Sequence, residues 1–411
     1  MDYTGTISAL PVRIIPFDLG RTLDEKDIAD IKEYTAAKYT SLALSLRQKS
    51  ILKNCVASFF LDDEVSAFVY QNGITVIVIK ERAVEGFKDD RQFAILYGEN
   101  RKKAHSSLFN WAHEKSQTIR TTISGLKSIV YHNSKSKISL RLSAAEEFEN
   151  KGLSYVMTLS LFDVKLEETQ NKSFKNYPDW LKSNIYALLD PSVIYLEDSS
   201  KFESTNEISF DIKRILENIE IDGDLNDYER HRHVNTYMSW AAVVVIGQIQ
   251  PTDIEEYTAL EVQLQSDWFY VYCLEKGLEK SEKVSKKDIV GYQRQSYELD
   301  QLENRLYDFD DSSMPTRILD IQRGLVDTSG LADNIHHLKR KIDYILEREK
   351  LNNELKQKKL GQSSEILLFI IAFIEIAPTV AEYGNRIYPN AGVLANILIV
   401  ILGFILLIRK E

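Results

Sequence analysis

The sequence predicts an α+β fold: an α/β domain, then long helices with a stalk helix, then two C-terminal transmembrane helices. Three observations support this. Strand and helix signals alternate over residues 1–248, helical periodicity takes over after that, and two apolar runs end the chain. The predicted organisation is therefore a cytoplasmic α/β domain (1–248), a helical and stalk region (249–360) and a transmembrane hairpin (361–411).

Composition narrows the function classes. The chain has 411 residues, 44% of them hydrophobic, and a formal net charge of −10, so nucleic acid is not an expected partner. Its two cysteines, Cys55 and Cys273, lie too far apart in sequence to suggest a disulfide framework, which fits a reducing compartment. The first residues lack a basic segment followed by an apolar one, so no signal peptide is expected. No catalytic constellation is visible, and we do not expect an enzyme.

Short elements are predicted in the α/β domain. Asn72-Gly73 between two apolar runs predicts a two-residue hairpin loop. The segment CVASFFL before it and QFAILYG after it predict strands, and residues 99–127 predict a helix. The run LSYVMTLSLFDV fits strand or helix equally. The run YMSWAAVVVIG, apolar on both faces, predicts an interior strand.

The helical region has start signals and a heptad pattern. Thr252 and Glu255 have capping-box spacing at the start of the first helix, which carries one apolar face. A later helix begins near Pro315 and is interrupted at Ser329-Gly330. Beyond it, no proline or glycine occurs up to residue 360, which predicts one long helix that reaches the first apolar run and self-associates. Its heptad seam comprises Leu331, Ile335, Leu338, Ile342 and Ile345.

Two apolar runs, at about 364–383 and 391–408, are each long enough to cross a bilayer core of roughly 30 Å. Lysines precede the first run and basic residues follow the second, whereas the loop between them holds only Arg386. The positive-inside rule then predicts a multi-pass protein of the inner (cytoplasmic) membrane with both termini in the cytoplasm. The alternative is a buried hairpin of a soluble domain.

The first apolar run carries a polar stripe. Steps of three and four residues backwards from Glu382 fall on one helical face, which predicts a water-facing, pore-lining surface in a homo-oligomer. Rings of carboxylates from Glu382 and Glu375 would favour cations. The alternatives are a Glu375 held by a neighbouring helix, for instance through Asn396, and a proton relay. The predicted pore-lining residues are Glu382, Thr379, Glu375, Ala372 and Leu368.

The first apolar run ends with the triplet Tyr383-Gly384-Asn385, and Tyr388-Pro389-Asn390 follows in the loop. This end of the run resembles the CorA-type metal-ion transporter superfamily. Family members end the first span with Tyr-Gly-Met-Asn and continue into a short loop with Met-Pro-Glu. Here the methionine is missing, Asn390 stands in place of the loop acid, and Arg386 adds a positive charge. The resemblance implies a homo-oligomer, usually a pentamer, with hydrated Mg²⁺ at the pore mouth. The predicted mouth residues are Tyr383, Gly384, Asn385, Arg386, Pro389 and Asn390.

The chain is also similar in plan to the divergent CorA-like proteins associated with type III CRISPR antiviral defence. That resemblance implies a channel opened by a nucleotide second messenger, as opposed to a constitutive Mg²⁺ transporter. A third hypothesis is an enzyme or binding module with the spans as an anchor. Basic stretches are candidate nucleotide contacts, with solvated surface as the alternative: Arg101, Lys102, Lys103, Lys135, Lys137 and Arg141.

Acidic residues at a predicted helix end are the candidate divalent-cation site, because negative charge there opposes the helix dipole and a bound cation would relieve it. The family senses divalent ions in its cytoplasmic part. A solvated acidic turn is the alternative. The residues are Asp308, Asp310 and Asp311.

Overall fold

The structure, a computed structural model, is a mixed α+β fold with a sheet and long helices. The chain separates into two compact units, Met1–Arg340 and Lys341–Glu411. The three-part division at residues 248 and 360 stays a prediction. The structure describes residues 5–19, 22–81, 97, 155–166, 194–195, 234–238, 242–281, 289–307 and 314–408.

Nine described strands form a mixed sheet in the first unit. Two short helices, α1 (Glu25–Lys38) and α2 (Leu46–Ile51), lie between the first strands in sequence. The strand order is β2-β3-β4-β5-β1-β6-β9-β8, with β7 beside β6, and only the β6–β9 pair is parallel. The strands are β1 (Gly5–Asp18), β2 (Thr40–Ser41), β3 (Cys55–Asp62), β4 (Val65–Tyr70), β5 (Ile74–Lys80), β6 (Tyr155–Leu166), β7 (Ile194–Tyr195), β8 (Val234–Met238) and β9 (Ala242–Gly247).

The predicted hairpin is confirmed as β4–β5, but its loop has three residues. The Gly73 N–H donates to the Tyr70 carbonyl at 2.8 Å, and Gly73 has a φ of 79°. A glycine in the left-handed region after a tight turn is the usual ending of a three-residue loop. The Asn-Gly pair was therefore a correct hairpin signal with the wrong loop length.

The other strand predictions agree with the structure in some segments and are wrong in another. The ambiguous run LSYVMTLSLFDV forms most of β6, which extends two residues beyond it. The run YMSWAAVVVIG, predicted as one strand, covers the end of β8 and all of β9. Strand β9 lies between β6 and β8 with its residues 243–246 fully buried, as predicted for an interior strand. The QFAILYG strand is wrong at Tyr97, its one described residue, which is helical. Tyr97 packs edge-on against Phe162 and donates to the Ser160 hydroxyl at 3.1 Å. The predicted helix at 99–127 lies outside the described residues.

Helix α3 (Pro251–Ser281) packs on β1, β5 and β6. It is buried around most of its circumference, so the prediction of a single apolar face was too narrow. The predicted capping box is also wrong, because the helix begins at Pro251 and Thr252 therefore lies inside it, beyond the N-cap position. Instead, the backbone N–H of Gln250 donates to the Asp253 carboxylate at 2.9 Å, and Arg317 pairs with the same carboxylate at 3.2 Å.

The predicted long helix is confirmed as one 57-residue element, α6 (Leu331–Ile387). It follows α4 (Ile289–Tyr307) and α5 (Thr316–Ser329), and α7 (Ala391–Ile408) comes after it. All five heptad residues from Leu331 to Ile345 are at most 1% exposed. Farther along α6 the seam ends, as the side chains of Leu351, Leu355 and Leu360 are at least half exposed.

Gly330 separates α5 from α6 with a φ of 65°, a left-handed cap that strains any residue with a Cβ. We expect Gly330→Ala to lower the free energy of unfolding by about 1 kcal/mol. Gly324→Ala, inside α5, is the matched control. Its Cβ would meet only the Met238 side chain, with the sulfur at 3.4 Å and Cε at 3.6 Å, so better helix propensity should raise stability by about 1 kcal/mol. Thermal unfolding of the two variants checks this, and equal shifts would contradict the role of the cap.

Candidate functional site

The predicted polar stripe lies on one exposed face of α6. Glu382, Thr379, Glu375, Ala372 and Leu368 are all exposed in the single chain. Among the described helices, α6 is the one both long and apolar enough to cross a membrane, by length and composition, and its most apolar window is unburied. The corresponding apolar stretch of α7 is shorter and covers Ala391–Gly403. The stripe is therefore accessible to water or to another molecule.

Helix α7 packs on the other side of α6. The half-buried residues of α6 in this segment include Phe369, Phe373 and Ala377. At 3.6 residues per turn, Ala377 lies about 160° around the helix from Glu375. The Asn396 side-chain N–H donates to the Ala377 carbonyl at 3.0 Å, which ties α7 to this rear face. The alternative in which Asn396 holds Glu375 is therefore not what the structure shows within one chain.

Two glycines let the helices cross closely. A Cβ added to Gly384 would lie 2.4 Å from the Gly392 Cα, and one added to Gly392 would lie 2.4 Å from the Ala381 carbonyl oxygen. Small residues at such crossings are typical of helix pairs in lipid, where packing takes the place of the hydrophobic effect. Gly384, predicted as a mouth residue, therefore has a packing role.

The rest of the Tyr-Gly-Asn triplet also holds the hairpin. The Asn385 side-chain oxygen accepts from the Gly392 N–H at 3.3 Å, so it caps the first turn of α7. Asn390 occupies the left-handed region with a φ of 70°, which asparagine tolerates well. Pro389 and Tyr383 are exposed. The asparagine carboxamide, which the resemblance assigns to ion binding, is engaged here by the backbone of the same chain.

The two stripe carboxylates differ in electrostatic setting. The Arg386 guanidinium donates to the Glu382 carboxylate at 2.5 Å and lies over the Tyr383 ring at 5.6 Å from its centroid. Arg386 is one turn from Glu382, so it shares the stripe's face. Glu375 makes no hydrogen bond or ion pair within the described part of the chain. The negative charge that stays uncompensated along the stripe is therefore that of Glu375.

The candidate nucleotide contacts and the candidate divalent-cation site lie outside the described residues. The first are the basic stretches from Arg101 to Lys103 and from Lys135 to Arg141, and the second is the acidic group Asp308, Asp310 and Asp311. Within the described ranges, no group of three or more His, Cys, Asp or Glu side chains is arranged to hold a metal ion.

A polar cluster on α3 was missed by sequence reasoning. Gln263 and Asp267 are at most 8% exposed, and the Gln263 amide donates to the Asp267 carboxylate at 2.8 Å. Together with Arg305 they line a cavity in the first unit. Their spacing of four residues was a usable signal, because it puts an amide beside a carboxylate on a helix.

Comparisons of the chain with protein-family models, curated proteins and solved structures found no match. The fold and the exposed stripe together define a mixed α+β protein with a long helix that turns from a buried heptad seam into an exposed apolar segment.

Proposed function

We propose that this chain is a CorA-like channel of the inner membrane that assembles as a homo-oligomer, with α6 lining the pore and α7 outside it. The observation that carries the proposal is the stripe from Leu368 to Glu382. It holds both glutamates and the threonine of the segment, it is exposed, and it lies away from α7, whereas most other positions of the segment are apolar. Charged groups at such positions face a bundle interior or a water-filled path.

The exposed apolar surface of α6 and α7 supports a membrane and a second copy as partners. Soluble monomers rarely expose a contiguous apolar surface of this length, and such surfaces mark contacts with a membrane or another protein. Some 20 residues of helix cross a bilayer core, so a 57-residue helix extends well beyond it. The exposed leucines between Leu351 and Leu360 lie in that extension and would pack against the same helix of neighbouring copies.

Within this proposal the channel is a ligand-gated effector of type III CRISPR antiviral defence, opened by a nucleotide second messenger. The resemblance in plan supports this reading. A messenger would open the pore only by binding the open state more tightly than the closed one. The second candidate is a divalent-cation transporter of the Mg²⁺ type. The Glu382–Arg386 pair and Asn390 in place of a loop acid count against it, because hydrated Mg²⁺ needs oxygen ligands and negative charge.

Cation flux through proteoliposomes containing the full chain tests the proposal. We expect Glu375→Gln to lower flux about tenfold, equivalent to ~1.4 kcal/mol in the barrier, because it removes the uncompensated ring of charge. Glu354→Gln, an exposed carboxylate of α6 before the apolar segment, is the matched control and should conduct normally. Normal flux through the Glu375 variant would contradict a pore at this face.

The role of the ion pair is tested by Arg386→Gln in the same assay. Removing the guanidinium leaves the Glu382 carboxylate unpaired, so the preference for cations over anions should increase. The reversal potential under a salt gradient measures this preference. An unchanged preference would place Arg386 away from the ion path. Rescue of a magnesium-requiring strain by the unaltered protein would instead favour the transporter.

A further inference from the structure

A cavity in the first unit brings together side chains from four segments. Asp267 and Gln263 come from α3, Arg305 from α4, Gln322 from α5, and Lys53 from the turn after α2. Leucine and valine side chains of the three long helices complete the wall. Two cationic groups and one carboxyl thus meet in a partly apolar enclosure.

Three polar atoms of these lining residues are buried and have no hydrogen-bond partner within the described part of the chain. They are the Asp267 Oδ1, the Gln263 Oε1 and the Arg305 Nε. The first two accept hydrogen bonds and the third donates one. Buried polar atoms are rarely left unpaired, because each costs about 1–3 kcal/mol. The set therefore calls for a ligand that offers donors to two oxygens and accepts from a guanidinium.

The cavity limits the size of that ligand. Its volume is about 20 Å³. One water molecule needs ~10–15 Å³ on this measure, so the space suits one small polyatomic group. An entire nucleotide does not fit inside, although the terminal phosphate of one could enter.

We propose that the cavity binds a protonated phosphate group, either free phosphate or the head of a phosphate monoester. One P–OH group donates to Asp267, and the unprotonated oxygens accept from Arg305, with Lys53 adding positive charge. Dihydrogen phosphate has a second P–OH group, which donates to Gln263, whereas the head of a monoester has only the first. A guanidinium beside phosphate is a strong, charge-assisted arrangement. Neither the channel proposal nor the candidate contacts predicted from the basic stretches assign this site.

The carboxyl explains why the phosphate should carry a proton. Burial raises the pKa of Asp267, although nearby Arg305 and Lys53 oppose the shift. A carboxylate in this setting is a good proton acceptor, and it would repel a fully deprotonated oxyanion. Sulfate has the same shape as phosphate but no proton near neutral pH, so Asp267 should exclude it.

Equilibrium dialysis of the full-length protein in detergent, with inorganic phosphate as the probe and sulfate as the matched ion, tests the proposal at about pH 6. A phosphate monoester is near its second pKa at this pH, and inorganic phosphate is mostly in its dihydrogen form. We expect phosphate to bind at least about a hundredfold more tightly than sulfate, because a buried acceptor rejects a ligand that lacks the donor. Adenosine 5′-monophosphate distinguishes the two sources. Its binding assigns a monoester head group, and binding of phosphate alone assigns the free ion. Equal binding of sulfate, or no phosphate binding, would overturn the proposal.

Variants of the lining residues test whether phosphate binds in this cavity. Asp267→Asn should reduce the preference for phosphate over sulfate to within about threefold, because the amide can donate to either ion. Asp320→Asn, a carboxylate of α5 outside the cavity and paired with Arg323, should keep the preference. If Asp267→Asn does not fold, Arg305→Gln should weaken phosphate binding about tenfold. Unchanged binding in the folded variants would show that the phosphate lies elsewhere. Dialysis needs no channel activity, so this test and the flux test fail independently.

Discussion

Glu261→Gln should raise the free energy of unfolding, relative to that of the unaltered chain, by about 3 kcal/mol more at pH 8 than at pH 4.5. Glu261 lies on α3 and is 1% exposed. Burial raises the pKa of its carboxyl to about 7, and a hydrogen bond from the Gln265 amide at 3.3 Å only partly opposes that shift. One carboxyl oxygen, Oε1, has no partner within the described residues.

The direction of the effect follows from proton binding. Below about pH 4.5 the glutamic acid is protonated in both the folded and the unfolded chain, so it contributes no pH dependence. Between about pH 4.5 and 7 the unfolded chain loses the proton and the folded chain retains it. Stability contributed by this group therefore falls as pH rises through that window, and it levels off above the folded pKa. Glutamine cannot ionise, so the variant lacks this loss.

Thermal unfolding of the full chain in detergent at the two pH values measures the difference. Glu255→Gln is the matched control for removing one negative charge, because Glu255 is an exposed carboxylate of the same helix. The melting temperature of the Glu261 variant should exceed that of the unaltered protein by several degrees more at pH 8 than at pH 4.5. The same temperature difference at both pH values would show that Glu261 does not keep its proton on folding.

Features with a regular period were predictable. The heptad seam of α6 and the absence of proline or glycine up to residue 360 predicted one long helix, and the burial from Leu331 to Ile345 agrees. The apolar run 391–408 coincides with α7. These patterns are local, because the spacing of apolar side chains along one helix already determines which of its faces can be buried.

Features that depend on contacts between distant segments of the chain were not predictable from the sequence. Asp267 and Glu261 are the residue types that usually face water, and only packing of α3 among the sheet and the other helices buries them. The partner of Asn396 could not be chosen from sequence, because both faces of α6 were available to α7. The Glu382–Arg386 pair is different, since its four-residue spacing on a helix made it readable.

Gly392→Ala should disrupt the C-terminal hairpin. The new Cβ would lie 2.4 Å from the Ala381 carbonyl oxygen and 2.6 Å from the Ala381 Cα. Both atoms belong to the backbone of α6, so no side-chain rotation relieves the clash and the helices must separate. Overpacking of this kind typically costs 1–3 kcal/mol, and between helices in lipid no hydrophobic gain offsets it.

Two other glycines provide graded controls. Gly361→Ala adds a Cβ with nothing within 4 Å, so it should leave the protein unchanged or up to about 1 kcal/mol more stable. Gly403→Ala would meet the Phe369 ring, which can turn away, so its effect should fall between the two. Melting temperatures of the three variants in detergent should rank Gly361→Ala highest and Gly392→Ala lowest. Equal values for these two would mean that the close crossing does not stabilise the hairpin.

Gly392→Ala also tests whether the packing of α7 on α6 affects conduction. Gly392 lies on α7, away from the stripe, and makes no part of the proposed ion path. Its close approach to Ala381, with the bond from Asn396 to Ala377, keeps α7 on the rear of α6 and leaves Glu375 on the outward face. If this packing sets which face lines the pore, Gly392→Ala should also lower cation flux in proteoliposomes, whereas Gly361→Ala should not. Normal flux through a destabilised Gly392 variant would show that contacts with other subunits alone orient the stripe.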